Sequence, residues 1–377
     1  MLKKTFLFLC FLYSVVTFSQ MVPLSENAKI SVLTCANGEE LYTTFGHTAI
    51  RIQDVTNNLN VVFNYGMFDF SEGNFYLKFV KGDLQYYVAA SSYDQFLYEY
   101  QLEKREVIEQ TLNLSRQQKQ NLLELLTTSL YSEEKYYTYK FIDRNCTTMV
   151  VDKLNTVLGD TNQIKKSSNT DLTYRETLYP YFENYFWYKL GINIIFGQRV
   201  DDNATQLFLP IELLNSLNKI SIDGKPLVAS NESIVKAEQP NFAFNFFNSI
   251  YFISSILLVI ILINKRILFT IYLIILGFLG IFFIWVGSYS LHKELLLNYN
   301  ILLFNPIFLL IPFIKSGRIL RGLLLASFGM LLVYLLVVLS KPHLNLVLPF
   351  MLTTVYILIK KWFGTKKLLA SVKNDRT

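Results

Sequence analysis

Two hydrophobic patterns divide the chain. Up to about residue 240 apolar side chains recur at short periods among polar ones; from about 244 they run nearly unbroken. In the first part, "AIRI" (49–52), "DVTNN" (54–58) and "VVFNY" (61–65) predict a β-hairpin with a polar loop. If Ile52 pairs near Val61, then His47, Ala49 and Arg51 share a sheet face with Asn64, and a slip of one residue would send Asn64 to the other face. "LNLSRQQKQNLLELLTTSL" (112–130) predicts an amphipathic core helix. In "NCTTMVVDKLNTVLG", Met149, Val150, Leu154, Val157 and Leu158 recur at helical spacing, Asn145 can serve as the N-cap and Gly159 as the C-terminal cap. That places Cys146 in the first helical turn. "YYTYKFIDRNC" predicts a strand or turn leading into it, and "FLPIELLNSL" (208–217) a docking helix ahead of the membrane half.

The second part holds five apolar segments, at about 244–263, 267–287, 301–314, 319–339 and 344–359. Two or three approach the roughly 20 residues of a spanning helix. The third is short and carries Pro306 and Pro312, which predicts a kinked or re-entrant element. Lys265, Arg266, Lys315 and Arg318 occupy two of the connections, and a basic tail follows Ile359; the opposite connections hold only Lys293 and Lys341. The positive-inside rule therefore puts the polar half outside the cytoplasm. An N-terminal signal agrees: Lys3 and Lys4 precede the apolar run "TFLFLCFLYSVVTF", with Cys10 inside the discarded part. The expected organisation is a signal peptide over 1–20, a periplasmic domain over 21–240, a transmembrane domain over 244–360 and a cytoplasmic basic tail over 361–377. The expected location is the inner membrane, multi-pass.

The formal net charge of +6 is absorbed by this topology, so it does not argue for nucleic acid. No glycine-rich phosphate loop, CxxC pair or aromatic-interleaved basic patch occurs; no cofactor or metal is expected. All three histidines fall on the outer side. His47 follows a glycine in "TTFGHTAIRI"; His343 reads as an interfacial residue; His292 has Asn298, Asn300 and Asn305 for company at the mouth of the broken third segment. Polar groups at membrane depth default to function.

Cys35 and Cys146 form an even pair in an exported domain, so a disulfide is the simplest expectation. The competing one is a nucleophile. A helix N-terminus carries about half a positive charge, which favours thiolate, and a cysteine there with an imidazole nearby has the makings of an activated thiol. Asn64, or else Asp69 in "YGMFDF", would orient the His47 ring, and Tyr139 would line the site.

The blocks "LTCANGEELYTTFGHTAIRI", "FNYGMFDF", "TLNLSRQQKQNLLELL", "YTYKFIDRNCTT", "FLPIEL" and "LHKELLLNYNILLFNP" resemble the Lnb-type lipoprotein N-acyltransferases of Bacteroides-like bacteria, in order over nearly the whole mature chain. The histidine and cysteine blocks also resemble the permuted papain-like superfamily that includes lecithin:retinol acyltransferase. The resemblance implies an α+β, permuted papain-like exported domain followed by about five membrane helices. It implies transfer of an acyl chain from a membrane phospholipid, through a Cys146 thioester, to a lipoprotein N-terminus. His47 would then be the base and Asn64 its partner; Tyr139, Asn145, His292, Asn298, Asn300 and Asn305 would meet substrate. Cys35 lies inside a resembling block, which favours a free thiol. Met149 stands where such proteins often carry a basic residue. Two other readings stay open: an anchored cysteine peptidase or amidase of the cell envelope, and a non-enzymatic binding module with a Cys35–Cys146 disulfide.

Overall fold

The predicted hairpin forms the middle of a seven-stranded antiparallel sheet. The computed structural model describes residues 22–166, 171–237 and 243–374; the signal segment, with Cys10, lies outside them. The strands are β1 (Lys29–Cys35), β2 (His47–Asp54), β3 (Leu59–Met67), β4 (Gln85–Ser92), β5 (Val107–Leu112) and β6 (Tyr136–Thr138); after a small β7–β8 hairpin (Ser221–Ile222, Lys225–Pro226) comes β9 (Val228–Val235). Their order is β6-β4-β3-β2-β1-β5-β9. Ile52 stands opposite Val61 and Ala49 opposite Asn64, so His47 and Asn64 belong to one face, as the alternation required.

The period of two sends alternate residues into two cores. Ile30, Val32, Ile50, Ile52 and Phe63 pack beneath the helices at 116–131 and 146–158; Leu33, Cys35, Ala49 and Val62 pack with Tyr93, Phe96 and Tyr100 from another. The helices of this half are α1 (Phe75–Lys81), α2 (Tyr93–Leu102), α3 (Arg116–Tyr131), α4 (Cys146–Leu158), α5 (Tyr174–Leu178), α6 (Phe186–Ile195) and α7 (Pro210–Leu217). Helix α3 begins at a Ser115/Gln118 capping box and buries Leu122, Leu123 and Leu126. Helix α7, expected as a docking helix ahead of the membrane half, puts Leu213 and Leu217 into the sheet core.

The membrane half differs from five spans. Among the described residues three helices are long and apolar enough to cross a membrane: α9 (Arg266–Tyr289), α10 (Gly317–Val338), and the part of α11 (Leu344–Asn374) between Leu344 and Gly364. A shorter apolar helix, α8 (Ile250–Ile263), precedes them. The segment expected at 301–314 is no regular helix; short 3-10 turns at Lys293–Leu295, Tyr299–Leu302 and Pro306–Leu309 replace it. Pro306 and Pro312 cannot supply the N–H groups that an α-helix uses. The segment runs antiparallel to α10, since Tyr334 donates to Asn300 (2.8 Å) and Asn305 lies against Met330 one turn earlier. Irregular backbone in such a place must be sheathed in protein. Leu303, Phe304, Phe308 and Ile311 are accordingly buried, and Gly277 and Gly280 of α9 open the groove that receives them. A Cβ on Gly280 would collide with the Phe304 carbonyl, and one on Gly277 would reach within 2.6 Å of Leu309.

Candidate active site

The site lies where β2 begins, β3 bulges and α4 starts. Asn145 caps α4: its Oδ1 accepts from the amides of Thr147 (2.9 Å) and Thr148 (3.0 Å), while Thr148 Oγ1 accepts from the Asn145 amide (2.8 Å). Its Nδ2 donates to the carbonyls of Phe141 and Phe208. Asn145 is thus occupied in building the turn, and a role toward substrate would have to pass through Cys146. Thr147 reaches across to Thr48 (3.0 Å), pinning the helix start to β2.

His47 opens β2 directly after Gly46, whose φ of +79° favours glycine. A Cβ at Gly46 would run into the Cys35 carbonyl. Hence the glycine: β2 must enter beside the end of β1, where Cys35 and His47 are opposite each other. The imidazole Nε2–H donates to Asn64 Oδ1 at 3.2 Å. That bond assigns the proton to Nε2 and leaves Nδ1 as the acceptor for a thiol. Gly66, at φ +90°, sits in the register shift between β3 and β4, and its Cβ position is 3.4 Å from that of Cys146. The bulge makes room for the start of α4.

Burial acts to raise the Cys146 thiol, but the His47 imidazole, the Thr48 amide and the Thr147 hydroxyl outweigh it, and the net shift is downward. Cys35 goes the other way: burial pushes it up to about 12. Both cysteines are free, so the disulfide of the binding-module reading is not formed. Cys35 packs among Tyr93, Phe96 and Tyr100 in one core, whereas α4 belongs to the other. Tyr139 stacks on Tyr86 (4.3 Å, 21°), and Cys146 is within electrostatic reach of both rings. Burial holds both phenols above their ordinary value, so they are neutral. Asp69 is not the ring's partner; it accepts from the Ser71 amide in an exposed turn.

A seam fastens this site to the membrane half. Lys140 donates to the carbonyls of Gly82 (2.7 Å) and Leu291 (3.1 Å). Asp143 pairs with Arg199 through both oxygens and with Lys293 at 3.3 Å, and Arg199 stands 3.7 Å from the buried Glu294. Burial works to raise Asp143, and these cations hold it below the usual carboxylate range. Farther along, the buried Arg175 binds Asp201 (2.7 Å), which also accepts from Lys341 (2.9 Å) and Tyr299 (2.8 Å).

His292 belongs to this seam. Its Nε2 donates to the Phe79 carbonyl (2.9 Å), and burial lowers its pKa, keeping it neutral. Asn298 donates to the carbonyls of Ile194 and Ile195, Asn300 to those of Asn193 and Phe196, and Asn305 Oδ1 accepts from Ile307. The asparagines grouped as substrate contacts thus hold the broken segment's shape, two of them against the end of α6. His343, expected at an interface, is fully buried and stacks on Tyr299 (6.0 Å, 28°).

Residues 24–179 match the family model of the Lnb N-terminal periplasmic domain. This stretch is similar to Lnb-type periplasmic domains. No curated protein and no solved structure matches the chain. The match takes in His47, Asn64, Tyr139, Asn145 and Cys146, and stops short of the membrane half. The domain's antiparallel sheet and helices make the chain α+β, joined to three candidate spans. Thr48, Gly66, Lys140, Arg199 and Glu294 escaped the sequence reading. Gly66 had a signal, a glycine inside an otherwise good strand; the others depend on long-range contacts.

Among the described residues no cluster of three His, Cys, Asp or Glu side chains is placed to hold a metal ion. A cavity of about 310 Å³ opens beside α4, lined by Asp143, Thr148, Asp152, Lys166 and Gln206 among others, without Cys146.

Proposed function

We propose that this chain is a thiol-dependent acyltransferase that moves an acyl chain from a membrane phospholipid to the N-terminal amine of a diacylglyceryl-cysteine lipoprotein. The observation that carries the reading is the line Asn64–His47–Cys146 at a helix start, on a loop fastened to the membrane half. The Lnb-type domain match and a papain-like division of labour support it.

His47 Nδ1 takes the thiol proton, and the sulfur attacks the ester carbonyl. The C–S bond forms, the C–O bond to glycerol breaks, and the imidazolium returns its proton to the departing oxygen. Lysophospholipid leaves and a thioester stays on Cys146. The acceptor amine then gives a proton to His47 and attacks the thioester; the C–N bond forms and sulfur departs, regaining its proton. The oxyanion cannot draw on the amides of Thr147 and Thr148, which Asn145 already holds, or on that of Met149, bound to the Asn145 carbonyl. The amide of Cys146 itself is the helix-start donor left for it.

The test is acyl capture in membranes. With labelled phospholipid, intact mass should reveal an adduct released by hydroxylamine, lost in Cys146→Ala and slow to form in His47→Ala. Cleavage of peptidoglycan fragments with no such adduct would instead establish the peptidase or amidase reading, which uses the same pair.

A further inference from the structure

We propose that α1, with the loops at 41–43 and 67–70, is inserted in the outer leaflet of the membrane that α9 crosses, as an apolar lip leading to Cys146.

Three observations place it there. First, α1 is fixed to the end of α9: the Leu291 amide donates to the Lys81 carbonyl (2.7 Å), two residues beyond the helix's last residue, Tyr289. Second, that end of α9 carries the marks of a membrane–water boundary. Trp285 and Tyr289 stack at 5.1 Å with both rings outward, and Trp and Tyr concentrate at that level. A second aromatic group marks the start of α8, where Trp187 donates to the Phe247 carbonyl (3.0 Å) and both rings are exposed. Third, α1 exposes what a soluble helix would bury. Tyr76 is 75% and Leu77 61% exposed, with Phe79, Phe70 and Tyr42 exposed beside them. A contiguous patch of this kind marks a partner. Because α1 is held at the aromatic-marked end of α9, the partner the patch fits is lipid.

An aromatic path joins the patch to the site. From Tyr139 the ring centroids step to Tyr86 (4.3 Å), Phe68 (5.2 Å), Phe70 (4.9 Å), Phe75 (4.9 Å) and Tyr76 (5.4 Å). Phe68 follows the Gly66 bulge that touches Cys146. Rings offer an acyl chain apolar contact all along this route. An interfacial element of this kind sits about 5–10 Å into the headgroup–acyl boundary. That the path delivers an acyl chain rests on the acyl-transfer reading; that the lip is inserted does not.

The experiment uses the full chain in phospholipid nanodiscs. Leu77→Cys in a Cys146→Ala background is labelled with an environment-sensitive fluorophore, since Cys35 is buried and its thiol is raised to about 12. Nitroxide-bearing phospholipid, with the nitroxide near the headgroup end of the chain, should quench this label roughly two-fold or more, as insertion to that depth requires. A label at Thr56, in the turn at the far end of β2, should not respond. A second label, at Tyr76→Cys, guards against a local disturbance. Labels at 76 and 77 that behave like the one at 56 overturn the proposal and leave the patch to a protein partner. Acyl capture, measured separately with Cys146 intact, keeps the two readings apart. Quenching without a thioester retains the lip and sinks the transfer; a thioester without quenching does the reverse.

Discussion

At Cys146 burial and its neighbours oppose each other, and the neighbours win. A lowered thiol pKa means that the thiolate persists to lower pH, so alkylation of the native protein should show a midpoint below the ordinary value of about 8.5. In His47→Ala the leading downward influence is gone while burial remains, and the midpoint should move upward. Mass-resolved iodoacetamide labelling across pH measures both; equal midpoints would refute the assignment of His47. Cys35 should stay unlabelled throughout, because its thiol is raised to about 12. Asn64→Ala tests a different function. It removes the acceptor that fixes the imidazole's tautomer, so thioester formation should fall by roughly 10²-fold, the scale of a disabled general base. The alkylation midpoint should shift less than in His47→Ala, since Asn64 does not act on the thiol itself. The Cys–His pairing was legible in the sequence because each residue announced its element, a glycine-led strand and an asparagine-capped helix.

Among the elements, the turn at 145–148 and the groove on α9 depend on single side chains. Asn145→Ala removes a helix cap, worth about 1 kcal/mol, and strips partners from the Phe141 and Phe208 carbonyls, a further cost of about 1–3 kcal/mol for buried groups. Thermal unfolding of the full chain in detergent should register this loss, with Asn145→Asp recovering the cap but not the carbonyl contacts. On α9, Gly280→Ala drives a methyl into the Phe304 carbonyl, an overpacking that should cost about 1–3 kcal/mol or more. Gly329→Ala on α10 meets nothing within 4 Å and should be neutral or stabilising in the same assay. The 3-10 segment explains why five apolar runs did not become five spans. Hydropathy reports what lipid or a protein core will accept; it does not say which of the two a segment meets. Leu303, Phe304 and Phe308 are apolar because α9 and α10 enclose them, and the prolines were the visible sign that no continuous helix would form. Asn298 and Asn300 show a related ambiguity, since unwound backbone needs polar side chains to satisfy nearby carbonyls as much as a substrate would.

For the whole molecule, the sheet half could be read from period and caps, whereas the seam between the halves could not. Its members lie far apart in sequence: Lys140 with Leu291, Asp143 with Arg199 and Lys293, Arg175 with Asp201 and Tyr299. None has a local signature, because nothing nearby in the sequence distinguishes a solvated lysine from one that closes an interface. The seam makes the membrane half part of the site's geometry, for it holds the loop that ends in Cys146. Asp143→Asn tests this at modest structural cost, keeping volume and some hydrogen bonding while removing the charge that binds Arg199 and Lys293. Asp143 is not among the groups that set the Cys146 thiol, so the alkylation midpoint should be unchanged and the chain should remain folded. What should suffer is alignment with a substrate presented by the bilayer, where a misplacement of about 1 Å can cost roughly 10²-fold. Thioester formation from nanodisc phospholipid should therefore slow by roughly ten-fold or more, while iodoacetamide, which needs no alignment with the membrane, reacts as before. If both rates fell together, the seam would be acting through the thiol's own environment, and if neither fell, the periplasmic domain would be carrying its site without the membrane half.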